Sequence, residues 1–525
     1  MNGTKKLRLP EWLTAGVAFI YYCMMALYKL TQTPIWQDEA MEFYCSIPVR
    51  GAIRGVTEYQ TMYERMAYIQ QQPPLYNWVM CLWLQISEGE WWYRFSSVVF
   101  GFFAAAGLYA VIKKLCSSLT AAVSVIVFSS VYILMYYIKE ASEYSLLIML
   151  LFWTLYLYLG LLEQSNIKGV LLFTLLCVVN IYTHYGAVFV VVPLALSLLC
   201  NYAAKKDWKL FWTAFVSDAV AALGAGIPLV LLFLIPQSSN AVSTLGVDKP
   251  IEITGNNLIL DFFDSMMWVL RWCMLDYDRD WERLTPAIWV LLFVILSAGV
   301  FVWIHTKKRE VRYLFGFSIG MYFLYYVVTT LNIYAYGWFG NRYNLFIFPI
   351  WFVLIAVIVW ECLNAFRKSS IDIVKKAAPV VTAVTMAGIL LFCCYGVKRI
   401  RDHWDKMDLR TVVSVWYERE GEETETFVNF HQRYPFVYYL THNDQYSEPC
   451  WDTIHANQNL DSLDYSDEEW IAYLKDAVYA DALPQKLYVV SGQKDTIVEA
   501  LETYGYHVEP VVDSTAKLFL LTAPE

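Results

Sequence analysis

Charged residues are scarce in this chain: they make up 17% of 525 residues, against about 25% in soluble proteins. That deficit excludes an ordinary water-soluble globule of this length. The glycine fingerprints of nucleotide enzymes are missing too, since there is neither a GxxxxGK[ST] loop nor a GxGxxG. The 11 cysteines show no CxxC and no pairing pattern, and Cys177, Cys200, Cys393 and Cys394 fall inside apolar runs. Cysteine there acts as a small apolar residue, so neither a disulfide framework nor a zinc site is expected. No repeat and no low-complexity segment is present. The polar stretch after about residue 398 is acidic, which argues against nucleic acid or anionic lipid as its partner.

What is abundant is apolar length. Hydrophobic residues reach 58% and the mean hydropathy is +0.40. Runs near 20 residues, long enough to cross a bilayer, recur at 11–30, 95–112, 119–138, 145–162, 169–184, 187–203, 211–236, 285–304, 313–331, 343–363 and 378–397. The expectation is a polytopic α-helical membrane protein of about 11 spans. The first run follows Lys5, Lys6 and Arg8 and ends at Thr31-Gln32-Thr33-Pro34 without a small-residue cleavage site, which reads as a retained anchor. The Lys/Arg clusters at 5–8, 113–114, 168, 205–209, 307–312 and 367–376 fall on alternate connections. By the positive-inside rule these are cytoplasmic, so the N-terminus lies inside and the C-terminus outside. Leu75–Ile86 is apolar but short, and counting it as a span would break the alternation; it is expected to be an interfacial or re-entrant helix.

Two domains follow: a membrane module over 1–397, with outer loops near 31–94 and 237–284, and an extracytoplasmic tail over 398–525. The tail is polar and acidic. Strand-like runs at Thr426–Phe430, Lys486–Val490 and Lys517–Leu521, with a helical stretch at Asp495–Tyr504, predict a small α/β domain.

Ionisable residues at membrane depth are costly to bury and mark function by default. They gather at one set of span ends. Trp36-Gln37-Asp38-Glu39-Ala40 follows the first span, Lys139-Glu140-Ala141-Ser142-Glu143-Tyr144 fills a short link, and His184 and Arg342-Tyr343 stand at other ends on the same side. Each has a plainer reading: a solvated acidic pair, interface anchors, a satisfied histidine. Together they supply carboxylates and a cation facing the outer compartment. ATP and nucleotide sugars are cytoplasmic, so group transfer there calls for an activated donor that crosses the membrane. A sugar on a lipid phosphate fits, needing positive charge for the leaving phosphate and a carboxylate base for an acceptor hydroxyl.

These residues carry a resemblance. Asp38-Glu39-Ala40, Gln72-Pro73-Pro74-Leu75-Tyr76, Trp92-Tyr93-Arg94-Phe95-Ser96, Glu140-Ala141-x-x-Tyr144 and Arg342-Tyr343 stand in an order similar to that of the dolichyl-phosphate-mannose–protein mannosyltransferases and aminoarabinose transferases of glycosyltransferase superfamily C. The resemblance spans roughly 11–400 and implies a polyprenyl-phosphate sugar donor and an acceptor glycan, lipid or protein, with membrane lipid around it. It implies Asp38 as base, with Glu39 and Glu140 as further catalytic acids. Arg342, Tyr343 and His184 would lie near the donor phosphate, and Gln72, Tyr76, Glu143 and Tyr144 in substrate binding. Gln71-Gln72 stands where the aminoarabinose enzymes typically have Glu-Lys, and Lys139-Glu140-Ala141-Ser142 where they have Arg-Glu-Ala-Arg. No resident cofactor is implied, although Asp38, Glu39 and Glu140 leave a divalent cation open. A transporter or flippase of lipid-linked substrates is the alternative, and a receptor with an external domain a third reading. A transporter would place its charges at the midplane in broken spans of two related halves; here they sit at span ends, with no echo between halves.

Overall fold

A computed structural model describes residues 10–47, 61–238, 258–271, 285–331, 342–402, 406–419, 421–442, 451–457, 465–479, 482–492 and 496–524. Among the described residues eight helices are long and apolar enough to cross a membrane: Glu90–Leu115, Glu143–Glu163, Tyr185–Lys205, Trp208–Ser238, Thr285–His305, Arg309–Thr330, Phe348–Lys368 and Asp372–Asp402. Two shorter apolar helices, Glu11–Leu27 and Ile167–Thr183, and the bent pair Ser118–Phe128 and Tyr132–Lys139 occupy the remaining windows read from the sequence. The Leu75–Trp83 helix has 9 residues and is about 14 Å long, half of what a bilayer core demands.

The bent pair turns by 71°, and the cause is local. Ser129 and Ser130 donate their hydroxyls to the carbonyls of Val125 and Ile126, both at 2.8 Å, which draws the helix away from its regular ladder. Gly396 packs against this bend so closely that an added Cβ would stand 1.7 Å from the Ser130 carbonyl oxygen. Beyond the bend Lys139 is buried and donates to the Tyr28 carbonyl at 2.6 Å. A cation on the last carbonyls of a helix is favourable, so the first apolar helix is capped by this lysine.

The chain groups into two compact units, each discontinuous in sequence: 1–28, 97–230 and 247–403 form one, and 29–96, 231–246 and 404–525 the other. Residues 29–96 thus fall in the same unit as 404–525.

The second unit is built on a five-stranded sheet of order β2-β1-β3-β5-β4. The strands are β1 Glu425–Val428, β2 Ile454–Ala456, β3 Lys486–Ser491, β4 His507–Asp513 and β5 Lys517–Thr522. β1 runs parallel to β2 and β3, while β5 is antiparallel to β3 and β4. The expected runs correspond to β1, β3, β5 and the Thr496–Thr503 helix. β2 and β4 escaped notice because one has three residues and the other is a partly exposed edge strand with Pro510 at an irregularity in its pairing, where proline is tolerated. Phe427, Trp470, Leu487, Val489, Ile497 and Leu521 are buried against the sheet, each burial contributing about 2–3 kcal/mol.

Candidate active site

In the second unit the helix Gln37–Ser46 starts after Trp36, which is extended, and carries Asp38 and Glu39 in its first turn. Unsatisfied amide groups at a helix start favour carboxylates. The two acids meet different fates. Glu39 is fully buried (0% exposed), with Arg94 donating through Nε to Oε1 and through Nη2 to Oε2, both at 2.7 Å. Lys406 adds a third contact, Nζ to Oε2 at 3.0 Å, and Tyr93 donates its hydroxyl to the Glu39 carbonyl at 2.8 Å. Arg94 also donates to the carbonyls of Leu30, Thr33 and Pro34 and to Glu90, which pins the segment before the helix. With both oxygens held by cations, Glu39 offers a poor site for a metal ion or a substrate proton. Asp38 stays half-exposed. Among the described residues no group of three His, Cys, Asp or Glu side chains is arranged to hold a metal ion.

His431 hydrogen-bonds through Nδ1 to Gln37 Oε1. Burial holds its pKa below the ordinary histidine value; Asp38 opposes that shift and Arg433 adds to it. A group with a depressed folded pKa binds fewer protons in the docked form than in the free one. As the pH falls through the ordinary histidine range, the docked form therefore loses stability. We expect the 31–47 segment to exchange its amide hydrogens faster at pH 5.5 than at 7.5, beyond the intrinsic change, and His431→Gln to flatten that difference. A wild-type segment indifferent to pH would refute this.

Gln72 is fixed by its backbone: its carbonyl accepts from Gln237 Nε2 at 2.8 Å, and the same amide donates to Met66 O at 2.9 Å. Tyr76 is buried on the short helix that follows. Asn77 donates to Glu42 Oε2 at 2.8 Å and fastens that helix to the Asp38 helix. Trp83 and Trp92 stack at 4.5 Å, each donating its indole N–H to the other's carbonyl.

In the first unit Glu140 and Glu143 are both 1% exposed, Glu143 in the first turn of the Glu143–Glu163 helix. Tyr144 lies 5.8 Å from the His184 ring, which is 6.3 Å from Phe346. His184 Nδ1 accepts the Gly186 N–H at 3.0 Å, so in the neutral ring Nε2 carries the hydrogen. Phe346 packs on Tyr325, whose hydroxyl donates to Asn344 Oδ1 at 2.7 Å. Arg342 shares a short helical turn with Asn344 and is half-buried. Aromatic packing thus brings the 140–144 link, His184 and the 342–346 segment together. Tyr343 lies in the same turn, and its side chain is outside the described residues.

Sequence reasoning passed over Lys406, His431 and Glu42 and gave Arg94 no role. Lys406 and His431 stand nearly four hundred residues from their partners in the acidic loop, so no spacing announces them. Glu42 carried a signal, one helical turn after Asp38.

Residues 71–229 match the family model described as dolichyl-phosphate-mannose-protein mannosyltransferase. The matched segment contains Gln72, Tyr76, Glu140, Glu143, Tyr144 and His184, but not the Asp38-Glu39 pair or Arg342. No curated protein matches the chain by sequence. Among solved structures, ArnT from Cupriavidus metallidurans bound to undecaprenyl phosphate is similar at TM-score 0.51 and 11% identity, over 98% of this chain and 99% of that one. The apo oligosaccharyltransferase of Archaeoglobus fulgidus is similar at TM-score 0.56 and 11% identity, over 94% of this chain and 70% of that one. The oligosaccharyltransferase AglB from Archaeoglobus fulgidus, in complex with an inhibitory peptide and a dolichol-phosphate, gives 0.53 at 10% identity, over 91% and 69%. This chain has the fold of the superfamily C membrane glycosyltransferases, the group that its acidic and Pro-Pro motifs resemble.

Proposed function

We propose that this protein transfers a sugar from a polyprenyl-phosphate carrier to an acceptor hydroxyl at the outer face of a cell membrane, with Asp38 as general base. One observation carries the reading. Of the two acids at the start of the Gln37–Ser46 helix, Glu39 is locked under Arg94 and Lys406, while Asp38 remains half-exposed. A buried anchor next to an accessible carboxylate is how a base is held at a fixed place and still reaches substrate.

The acceptor oxygen would attack the anomeric carbon as its proton passes to Asp38. The bond from that carbon to the phosphate oxygen breaks, and the carrier leaves as a lipid phosphate. One base opposite the leaving group implies inversion in a single displacement, without a sugar–enzyme intermediate. The leaving phosphate asks for positive charge, which Arg342 would supply through its guanidinium fork, with His184 donating from Nε2. Glu140, Glu143 and Tyr144 would line the same side. The undecaprenyl phosphate bound to the similar ArnT and the dolichol-phosphate in complex with the similar AglB support a lipid-phosphate donor, and the alternation of Lys/Arg clusters supports eleven crossings with the site outside. Mass spectrometry of lipid-linked sugars in cells with and without the gene tests the reading. A polyprenyl-phosphate sugar should accumulate in the deletion strain while one class of envelope glycan loses that sugar. Unchanged lipid-linked pools and glycans would overturn it.

A further inference from the structure

The tail contacts the segment that carries Asp38. Within the second unit it holds the acidic segment at alternate residues. Tyr439 accepts the Ile35 N–H on its hydroxyl at 2.6 Å, His431 holds Gln37, and Lys406 holds Glu39 at 3.0 Å while lying 5.4 Å from the centre of the Trp36 ring. These contacts bracket Asp38 from both neighbours in sequence. The far wall of the segment is tied down as well, for Arg410 pairs with Glu90 at 2.8 Å, and Glu90 in turn accepts from Arg94.

The sheet explains why the tail can do this. From β1 the chain passes to β2 on one side and from β2 returns across β1 to β3 on the other, so the strand order reverses beside β1. Open α/β sheets bind ligands at such switch points. Here His431 lies just past the carboxyl end of β1, following Asn429, and it meets Gln37 of the same chain. The place where such a sheet would take a ligand is therefore engaged by the segment that carries Asp38. Lys406 is set from further off. Its carbonyl accepts from Thr515 Oγ1 at 3.0 Å, and Thr515 Oγ1 in turn accepts the Asp408 N–H at 3.0 Å, tying Lys406 to the turn between β4 and β5. Its side chain is only 6% exposed. A lysine buried against a glutamate keeps its ammonium at one place, and so fixes the turn of helix that presents Asp38.

We propose that the C-terminal domain is a positioning element of the active site, and that Lys406, oriented by Thr515, sets the placement of Asp38 through Glu39. This rests on the reading of Asp38 as base. Misplacing a reacting group by about 1 Å costs roughly a hundredfold in rate. In the full-length protein, Lys406→Met should lower kcat about 10- to 100-fold and leave KM for a polyprenyl-phosphate sugar within about twofold. Lys406→Arg should restore most of the rate, and Thr515→Val should give a milder loss of the same kind. Hydrogen exchange supplies a readout independent of turnover: amides of 31–47 should exchange faster in Lys406→Met, with the β3 and β5 amides unchanged. Wild-type exchange with wild-type kcat would overturn the proposal. So would faster exchange with unchanged kcat, or a fall in kcat without faster exchange, since each separates the clamp from Asp38. Full activity in Asp38→Asn would defeat the base reading instead and leave the exchange result standing.

Discussion

Asp38→Asn should insert, fold and bind the lipid donor like the wild type, yet transfer sugar 10²- to 10⁴-fold more slowly, a loss of about 3–5 kcal/mol of transition-state stabilisation. The amide keeps the size of the side chain and its hydrogen bonding but cannot take a proton. Glu39 does not rescue the loss, because its carboxylate is sealed and held by two cations. The check is single-turnover transfer from a purified polyprenyl-phosphate sugar, with donor binding measured separately. Near wild-type transfer by Asp38→Asn would remove Asp38 from the mechanism and pass the claim to Glu140. Inactive but donor-competent protein is the result that supports a base.

Glu39→Ala should behave differently, as a defect of stability. Arg94 is 1% exposed at its side chain and gives two of its donors to this carboxylate. Taking away one partner of a buried ion pair costs about 3–5 kcal/mol where the other charge is left alone, a cost that Glu90 reduces here because it still pairs with Arg94. The nearby Lys406 makes the case worse, since two cations then face each other without the anion between them. Glu39→Gln keeps the shape and one acceptor oxygen and should cost less. Thermal unfolding in detergent, together with protease sensitivity of the 31–47 segment, reads the difference. If Glu39→Ala unfolds with the wild type and its loop stays protected, the anchor role is wrong.

The helices and the residues around the site were legible to different depths. Apolar windows show in the sequence because a helix in lipid must be apolar along its whole length. At Glu90–Leu115 the helix runs past the window 95–112 at both ends, because aromatic and charged residues such as Trp91 and Lys113 continue it past its hydrophobic part. The bend at Ser129-Ser130 was not legible, because serine hydroxyls on the carbonyls four residues back do not by themselves announce so sharp a turn, and the close approach of Gly396 comes from far along the chain. In the tail β1, β3 and β5 were readable as apolar runs, whereas β4 is an edge whose half-exposed residues follow no burial pattern.

The acidic pair divides in the same manner. By resemblance Asp38-Glu39 fits a superfamily C-like pattern, and the sequence by itself determined that the chain carries membrane-length apolar runs with its acids, His184 and Arg342 at the ends of such runs. Those properties are local, set by composition, periodicity and neighbouring residues. Only the tertiary structure decided which acid is an anchor and which is accessible. That choice depends on Arg94, Lys406 and the β4–β5 turn that holds Lys406. Burial of a charge is tolerated where its counter-charges converge, and convergence over hundreds of residues is a property of the fold, with no trace in the spacing of the sequence.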